Sequence, residues 1–366
     1  MANVVLKHVS STSGDSRLNG VSAEFADGEF VVIAGPERSG KSAVLRAIAG
    51  LDDISAGEIS IGDRPVNDVA PKDREVAMVF WDYALFPQMS ARENIEVGLK
   101  TRNFAKGEID KRLRAAAAIL GLETRLEQKP AALSSEERLR VALGRGIVRQ
   151  PKALLLEDPL ANLSLGSHTA MRAELARLHQ RLQITMIYAT SSPTEALSLG
   201  ERVLVLRDGA AQQFGTPQAI YAEPANMFVA GFFGEPPMNL IHGTLKQERE
   251  SLLFREAGDG TVEVRWPVSA LLLAGKAVVL GVRPEEMTIS AAAGSGAKEG
   301  FPALVEVVEP VGAETYLHLQ TGAHSVICRS RSAVDRQDAG RRIRFTIDSA
   351  KAHLFDPDST ERIAFP

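Results

Sequence analysis

The stretch VVIAGPERSGKSA, residues 31–43, constrains the fold more than any other. An apolar run ends at Gly35, four residues follow, and then come Gly40, Lys41 and Ser42. The pattern G-x-x-x-x-G-K-S between a strand and a helix is a phosphate-binding loop. It demands a β–loop–α unit in which backbone N–H groups and a helix dipole face an anion. In such a loop Gly35, Ser39, Gly40, Lys41, Ser42 and Ala43 cradle ATP. Lys41 reaches the β and γ phosphates and Ser42 ligates Mg2+. The loop interior is unusual. Glu37 brings negative charge beside the phosphates, and Arg38 puts a Cβ where glycine accepts positive φ freely. Two readings stay open: a loop that still closes on ATP and Mg2+, and one that has lost them.

The rest of the chain extends this unit. Strand-like runs at 3–7, 29–34, 76–80, 153–157, 184–189 and 202–206 alternate with helical patterns at 41–50, 107–120, 135–149, 167–182 and 193–200. That alternation predicts an α/β domain with a mostly parallel, covered sheet. The text changes at GFFGEPPMNL. Beyond it, short alternating runs at 261–266, 277–283, 303–309, 315–320, 325–329 and 341–347 predict a small antiparallel barrel or sandwich. AAAGSGAKEG, residues 291–300, reads as a flexible loop inside it. The domains expected are 1–235 and 236–366.

Composition narrows the function classes. A net charge of −4 gives no basic footprint for nucleic acid. Cys328 is the sole cysteine, which excludes an intrachain disulfide and fits a reducing compartment. The start, MANVVLKHVS, lacks a secretory pattern, and no apolar run approaches the roughly 18 residues of a membrane span. A cytosolic protein able to dock on a membrane protein is expected.

Several stretches carry a resemblance: DGEFVVIAGP, LRAIAGLDDISAGEISIGDRPVND, YALFPQMSARENIEVGLK, RVALGRGIVRQPKALLLEDPLANL and GTPQAIYAEPANMFVAGFFG. They resemble the ATPase subunits of ABC transporters, in particular bacterial carbohydrate importers of the maltose and glycerol-3-phosphate type. LGVRPEEM, VVEPVGAETYLHLQ and HLFDPDSTERI resemble the transport-associated, OB-like domain of that family. The resemblance covers nearly the whole chain. It implies a P-loop ABC ATPase domain with an inserted helical subdomain at about 88–150, followed by a small all-β OB-like domain for dimer contact and regulation. It also implies ATP with Mg2+, two transmembrane permease subunits and, indirectly, a periplasmic or extracellular solute-binding protein. The implied location is the inner face of the cell membrane. Tyr83, Ala84, Leu85, Phe86 and Pro87 fall where the family lines a groove for the coupling helix of the membrane subunit.

The chemical positions depart from the family pattern. Its Asp-Glu pair after the apolar strand is Glu157 then Asp158, and the second carboxylate, which polarises water, is one methylene short. A misplacement of about 1 Å can cost a hundredfold in rate. Trp81 replaces the glutamine that touches metal and water, and indole accepts no hydrogen bond. It reads better as a packing residue at a subunit contact. Ser191 replaces the switch histidine, and Ser164 the D-loop aspartate. The residue that would stack on adenine aligns with Ser13, which offers no ring. The LSGGQ signature, which faces the γ-phosphate of the opposite subunit, has become Ser134, Ser135, Glu136 and Glu137. Ser134 and Glu137 have capping-box spacing, good helix chemistry and poor anion binding.

Docking and core positions are kept while the catalytic set is altered. The reading drawn is a catalytically degenerate importer subunit for a carbohydrate or polyol, glycerol or glycerol phosphate included, paired with an intact paralogous ATPase. Two alternatives stand beside it: an active homodimeric ATPase, and a soluble regulator derived from one.

Overall fold

The computed structural model describes residues 2–12, 17–248, 251–266, 274–292, 300–331 and 336–363. The chain divides into two compact units, 1–220 and 221–366.

In the first unit, β1 (Val4–Ser11) and β2 (Leu18–Phe25) pair antiparallel, and β3 (Phe30–Ala34) leads through the glycine-rich loop into α1 (Lys41–Ala49). Next come β4 (Ala56–Ile61), β5 (Arg64–Pro65) and β6 (Val76–Val79). Three helices follow: α2 (Ala91–Lys100), α3 (Lys106–Leu120) and α4 (Ser135–Ile147). The unit closes with β7 (Ala153–Glu157), α5 (Leu165–Leu182), β8 (Thr185–Thr190), α6 (Pro193–Leu199), β9 (Arg202–Arg207), β10 (Ala210–Gly215) and α7 (Pro217–Ala222), which runs over the division.

Two sheets result. One is antiparallel, in the order β2-β1-β4-β5; the other runs β10-β9-β3-β8-β7-β6 and is parallel except at β10. Strands β3, β7 and β8 are buried at every residue, as expected for a parallel sheet covered on both faces. Helix α1 is buried almost all round. Its Leu45 and Ile48 share one core with Phe25 and Ile59 from the antiparallel sheet and Ile33 and Leu155 from the parallel one. The site therefore rests on a helix clamped between two sheets.

Arg74 fixes the far end of α1. Its buried guanidinium donates to the carbonyls of Ala47 and Ile48 at 2.7 and 3.2 Å, and to Val69 and Asn67 at 2.8 and 3.1 Å. These bonds satisfy carbonyls that a helix end leaves free. Gly50 turns the chain out of α1 at φ 74°, and a Cβ there would lie 2.4 Å from the Arg74 Nε. Only glycine accepts both the angle and the contact.

The loop expected to dock a partner is held from behind. Tyr83 and Ala84 both have left-handed φ, 65° and 43°. Arg145 donates to their carbonyls at 2.7 and 2.6 Å, and the Tyr83 hydroxyl donates to the Pro159 carbonyl at 3.2 Å. Tyr83 is buried, whereas Phe86 is 44% exposed; of the five residues expected at the groove, Tyr83 faces inward as a strut. Asn94, fully buried on α2, accepts the Phe86 N–H at 2.8 Å and donates to the carbonyls of Phe86, Met89 and Ser90 at 3.1, 3.2 and 3.0 Å.

The second unit starts earlier than the composition shift near Pro236 implied. α8 (Met227–Phe232) and the residues before it belong with the β-rich half. Arg283 explains why: its guanidinium donates to the carbonyls of Tyr221 and Ala230 at 2.8 and 3.1 Å, and also to that of Phe233. The strands are β11 (Asn239–Glu248), β12 (Ser251–Glu256), β13 (Glu263–Trp266), β14 (Ala277–Val282), β15 (Met287–Ala292) and β16 (Phe301–Val311). β17 (Glu314–Gln320), β18 (Ser325–Ser330), β19 (Arg342–Ile347), β20 (His353–Phe355) and β21 (Arg362–Ile363) complete them. They form two sheets, β13-β12-β11-β14-β20-β21 and β15-β19-β16-β17-β18, over a shared core that includes Phe254, Leu280, Leu317 and Phe345. This is the expected antiparallel sandwich. Cys328 sits in that core, and burial pushes its thiol up to about 12, which keeps it unreactive. Most of the loop expected at 291–300 lies outside the described residues.

Replacing Asn94 with alanine leaves the Phe86 N–H and the Met89 carbonyl without this partner, while the Phe86 and Ser90 carbonyls keep backbone donors. The expected loss is about 2–3 kcal/mol of stability, read from urea unfolding, with Ile95→Val as a milder control on the same helix.

Candidate functional site

Strand β3 delivers the chain to Gly35, where a Cβ would lie 2.2 Å from the Leu206 carbonyl and 2.7 Å from the Ser39 Oγ, so no larger residue fits. Gly40 follows at φ 101° and opens α1, which has no side-chain cap and no acidic residue in its first turn. Its leading N–H groups and positive dipole end are therefore available to an anion. Arg38 sits at φ 60°, a left-handed angle that the loop imposes on a residue other than glycine. The Lys41 Nζ donates to the Pro36 carbonyl at 2.8 Å, across the loop. Burial lowers the Lys41 pKa, while Asp158 and Glu37 pull it back up.

Beside the loop lies a cleft of about 520 Å3. Ser42, Trp81, Glu157, Asp158, Ser191 and His168 all line it, together with Glu37 and Glu195. The parallel sheet does this, because β7 and β8 end at the same edge, where loops of an α/β sheet bind ligands. Glu157 is the buried last residue of β7. Asp158 turns at φ 37°, and its N–H donates to the Ala189 carbonyl at 2.9 Å, pinning the turn to β8. Burial raises the Asp158 pKa, and the Lys41 charge partly offsets that. Trp81 is 54% exposed, and its backbone carbonyl accepts from Asn162 at 2.6 Å. Ser13 lies outside the described residues.

The signature stretch folds as its spacing predicts. Ser134 caps α4: its Oγ accepts the Glu137 N–H at 3.2 Å, and the Glu137 carboxylate accepts the Ser134 N–H at 2.8 Å. Arg125 donates to Glu137 at 2.6 Å. Glu136 accepts from the Ser167 hydroxyl, and Ser167 pairs with Ser164 at 3.0 Å. Hydrogen bonding holds both carboxyls below their usual range, through Ser167 for Glu136 and through the Ser134 backbone for Glu137. This helix start is occupied by its own acids.

His168 and Glu195 were not singled out from the sequence. His168 stands in the first turn of α5, and Glu195 in that of α6. The available signal was position, since both follow strands that end at the cleft.

The residues fit a nucleotide with its metal. The uncapped helix, the glycine cradle and Lys41 suit phosphates, and Ser42 with Glu157 would hold Mg2+ directly or through water. Among the described residues, no group of three or more His, Cys, Asp or Glu is placed to bind a metal ion alone. Bound Mg2+ would draw charge from the phosphates. Asp158 brings to the same cleft a carboxylate one methylene shorter than glutamate.

Comparison with known proteins decides the family. Residues 18–161 match the ABC transporter model, 234–287 the MalK OB fold domain and 280–355 the TOBE domain. The "sn-glycerol-3-phosphate import ATP-binding protein UgpC" of Burkholderia cenocepacia is 42% identical over 346 residues, covering 94% of each chain. The protein of the same name from Ruegeria pomeroyi is 42% identical over 370 residues, covering all of both. This chain belongs to the ABC transporter ATPases. Within that family it is of the carbohydrate-importer type, with an α/β ABC ATPase fold and OB-fold and TOBE domains after it. A solved ABC ATPase, the dimeric post-hydrolysis form of MJ0796, superposes with a TM-score of 0.51 at 29% identity, over 58% of this chain and 98% of that one.

In this ABC ATPase the raised Asp158 pKa has a testable sign. The folded chain binds that proton more readily than the unfolded chain, so ionised Asp158 is a cost at neutral pH that fades as pH falls through its folded pKa. Asp158→Asn is expected to raise Tm at pH 7, with the gain shrinking toward pH 4. Differential scanning calorimetry across that range checks it; a gain that grows on acidification contradicts the assignment.

Proposed function

We propose that this chain is the catalytically degenerate nucleotide-binding subunit of an ABC importer. It holds ATP and Mg2+ at Lys41 and Ser42, pairs with an intact paralogous ATPase and docks on two permease subunits at the inner face of the membrane. The observation that carries this reading is the signature helix. Ser134, Glu136 and Glu137 close its N-terminus with the chain's own carboxylates, so it repels the phosphate that the family signature attracts. Trp81, Ser164 and Ser191 in place of polar catalytic groups, and Asp158 in place of glutamate, point the same way. Retained nucleotide binding is supported by the open α1 start and by the likeness to MJ0796, which is bound to ADP and Pi.

The transported solute is read from relatives described as sn-glycerol-3-phosphate importers, so a polyol phosphate or related carbohydrate is proposed. A solute-binding protein outside the membrane would deliver it. For docking, a groove of about 340 Å3 lined by Leu51, Met78, Phe80, Gly98, Arg102 and Arg149 supports a helix from the permease. Leu51 and Phe86 are exposed apolar residues of the kind such a contact buries. Among the described residues no helix is long and apolar enough to cross a membrane.

An active homodimer is the second reading, favoured by Ser42, Glu157 and Asp158 sharing one cleft. Phosphate release from saturating Mg-ATP separates the two, with Lys41→Ala as the blank. The proposed subunit releases phosphate at the blank rate, within about twofold, yet binds ATP. A Lys41-dependent rate from the pure chain would instead make it a working ATPase.

A further inference from the structure

A second cavity lies wholly within the β-rich unit and has a volume of about 750 Å3. It draws on residues 221–223 at the start of that unit, on 283 and 286 after β14, and on 350–354 and 362–363 at the end. Its cations outnumber its acids: Arg283, Lys351 and Arg362 line it, against Glu223 and Glu286. Two of the cations are lightly committed. Lys351 pairs with Glu286 at 2.7 Å and Arg362 with Glu223 at 3.3 Å, and both pairs touch solvent, where an ion pair is weak and readily exchanged. Arg283 is different. It is buried, and its guanidinium reaches the carbonyls of Tyr221, Ala230 and Phe233 and lies over the Tyr221 ring, 3.9 Å from the centroid. Among the described residues no carboxylate pairs with it, because Glu285 is taken by the Tyr221 hydroxyl, and its Nε has no acceptor. A buried cation without a counter-ion is costly, and an anion beside it relieves that cost. His353 on β20 lines the same cavity. Burial, then the charges of Arg362 and Arg283, hold its ring toward the neutral form against the pull of Glu223, so the potential there is positive. The remaining wall is apolar. Leu354 and Ile363 stand opposite each other across β20 and β21.

We infer that this cavity is a binding site for a phosphate-bearing small molecule, its phosphate held by Lys351 and Arg362 beside Arg283 and its body lying on the Leu354 and Ile363 wall. A single carboxylate would supply only what Glu223 or Glu286 supplies already. A phosphate dianion offers charge and oxygens to both cations at once, so it displaces the two exposed acids together. The volume falls in the range of small-molecule pockets and leaves room for more than the phosphate itself. The site is independent of nucleotide at Lys41, and so goes beyond the function proposed above. Its walls come from both ends of the second unit, so an occupant fastens residues 221–223 to the end of the chain and stabilises that unit by mass action.

The test is isothermal titration of the full chain carrying Lys41→Ala, which removes the cation of the phosphate loop. The probes are sn-glycerol 3-phosphate, inorganic phosphate and glycerol. Binding of either phosphate but not of glycerol supports the site: the ester alone identifies an ester as the occupant, and equal binding of both identifies the phosphate group alone. Lys351→Ala and Arg362→Ala are each expected to weaken that binding roughly tenfold. Both side chains reach solvent, at 58% and 30% exposure, so an unchanged Tm is expected without ligand. Glu286→Gln frees Lys351 of its present partner and is expected to tighten binding about threefold, an effect that a purely structural pair would not give. Failure of both phosphates to bind, binding indifferent to Lys351 and Arg362, glycerol binding as tightly as its phosphate, or weaker binding in Glu286→Gln would each overturn the inference. Binding by the native chain that vanishes in Lys41→Ala would overturn it too, by assigning the phosphate to the loop.

Discussion

Helix α1 is held by unequal means at its two ends, and the first unit is organised around that inequality. At its C-terminus, the Arg74 guanidinium and the Gly50 turn satisfy the free carbonyls inside the core. At its N-terminus no side chain answers the free N–H groups. A buried helix with an unanswered positive end calls for an anion. Burial lowers the Lys41 pKa, and a phosphate arriving there would favour the charged form that burial alone disfavours.

Helix α4 is the counter-case. It starts with the same kind of free N–H groups, but Ser134 and Glu137 answer them reciprocally and Glu136 adds a second carboxylate. The contrast is electrostatic. One helix start keeps its positive end open and the other has neutralised it. In a dimer of two such chains, every α4 start would bring acid to wherever it faces. In a mixed pair only one of the two would.

Much of this was legible in the sequence, for identifiable reasons. The parallel strands are apolar throughout and bounded by helices of clear period, so β3, β7, β8 and β9 fall where expected. The capping box needs only two residues three apart, and its geometry matches. The same spacing stands before α2 as Ser90 and Glu93, and the box forms there too. Strands β2 and β4 are not legible in the sequence, because their alternation is short and interrupted by glycine and serine. The inward turn of Tyr83 depends on Arg145, sixty-two residues away, and on two left-handed residues that local propensity disfavours. The boundary near Pro236 was read from composition. The Arg283 bonds, between residues about fifty to sixty apart, tie residues 221–233 to the β-rich unit, while the OB-fold match begins at residue 234.

His168 shows the same limit most clearly. Motif comparison asks what stands at one position, and at Ser191 the answer is a hydroxyl. The cleft asks which side chains reach one volume, and α5 sends His168 into it from a different loop. The carboxylate 3.4 Å from the ring comes from a third element, α6, two bonds removed from the serine turn. Ser164 is tied through Ser167 to Glu136, and the Ser192 N–H, next to Ser191, through Thr190 to Glu195. A chain that had merely lost selection on its chemistry would leave buried polar groups unanswered around the cleft, each at a cost of about 1–3 kcal/mol. Here Glu195, Thr190 and Tyr188 answer one another, and the buried Ser39 Oγ that lacks a partner within the protein stands in the phosphate loop, where a bound phosphate would accept from it.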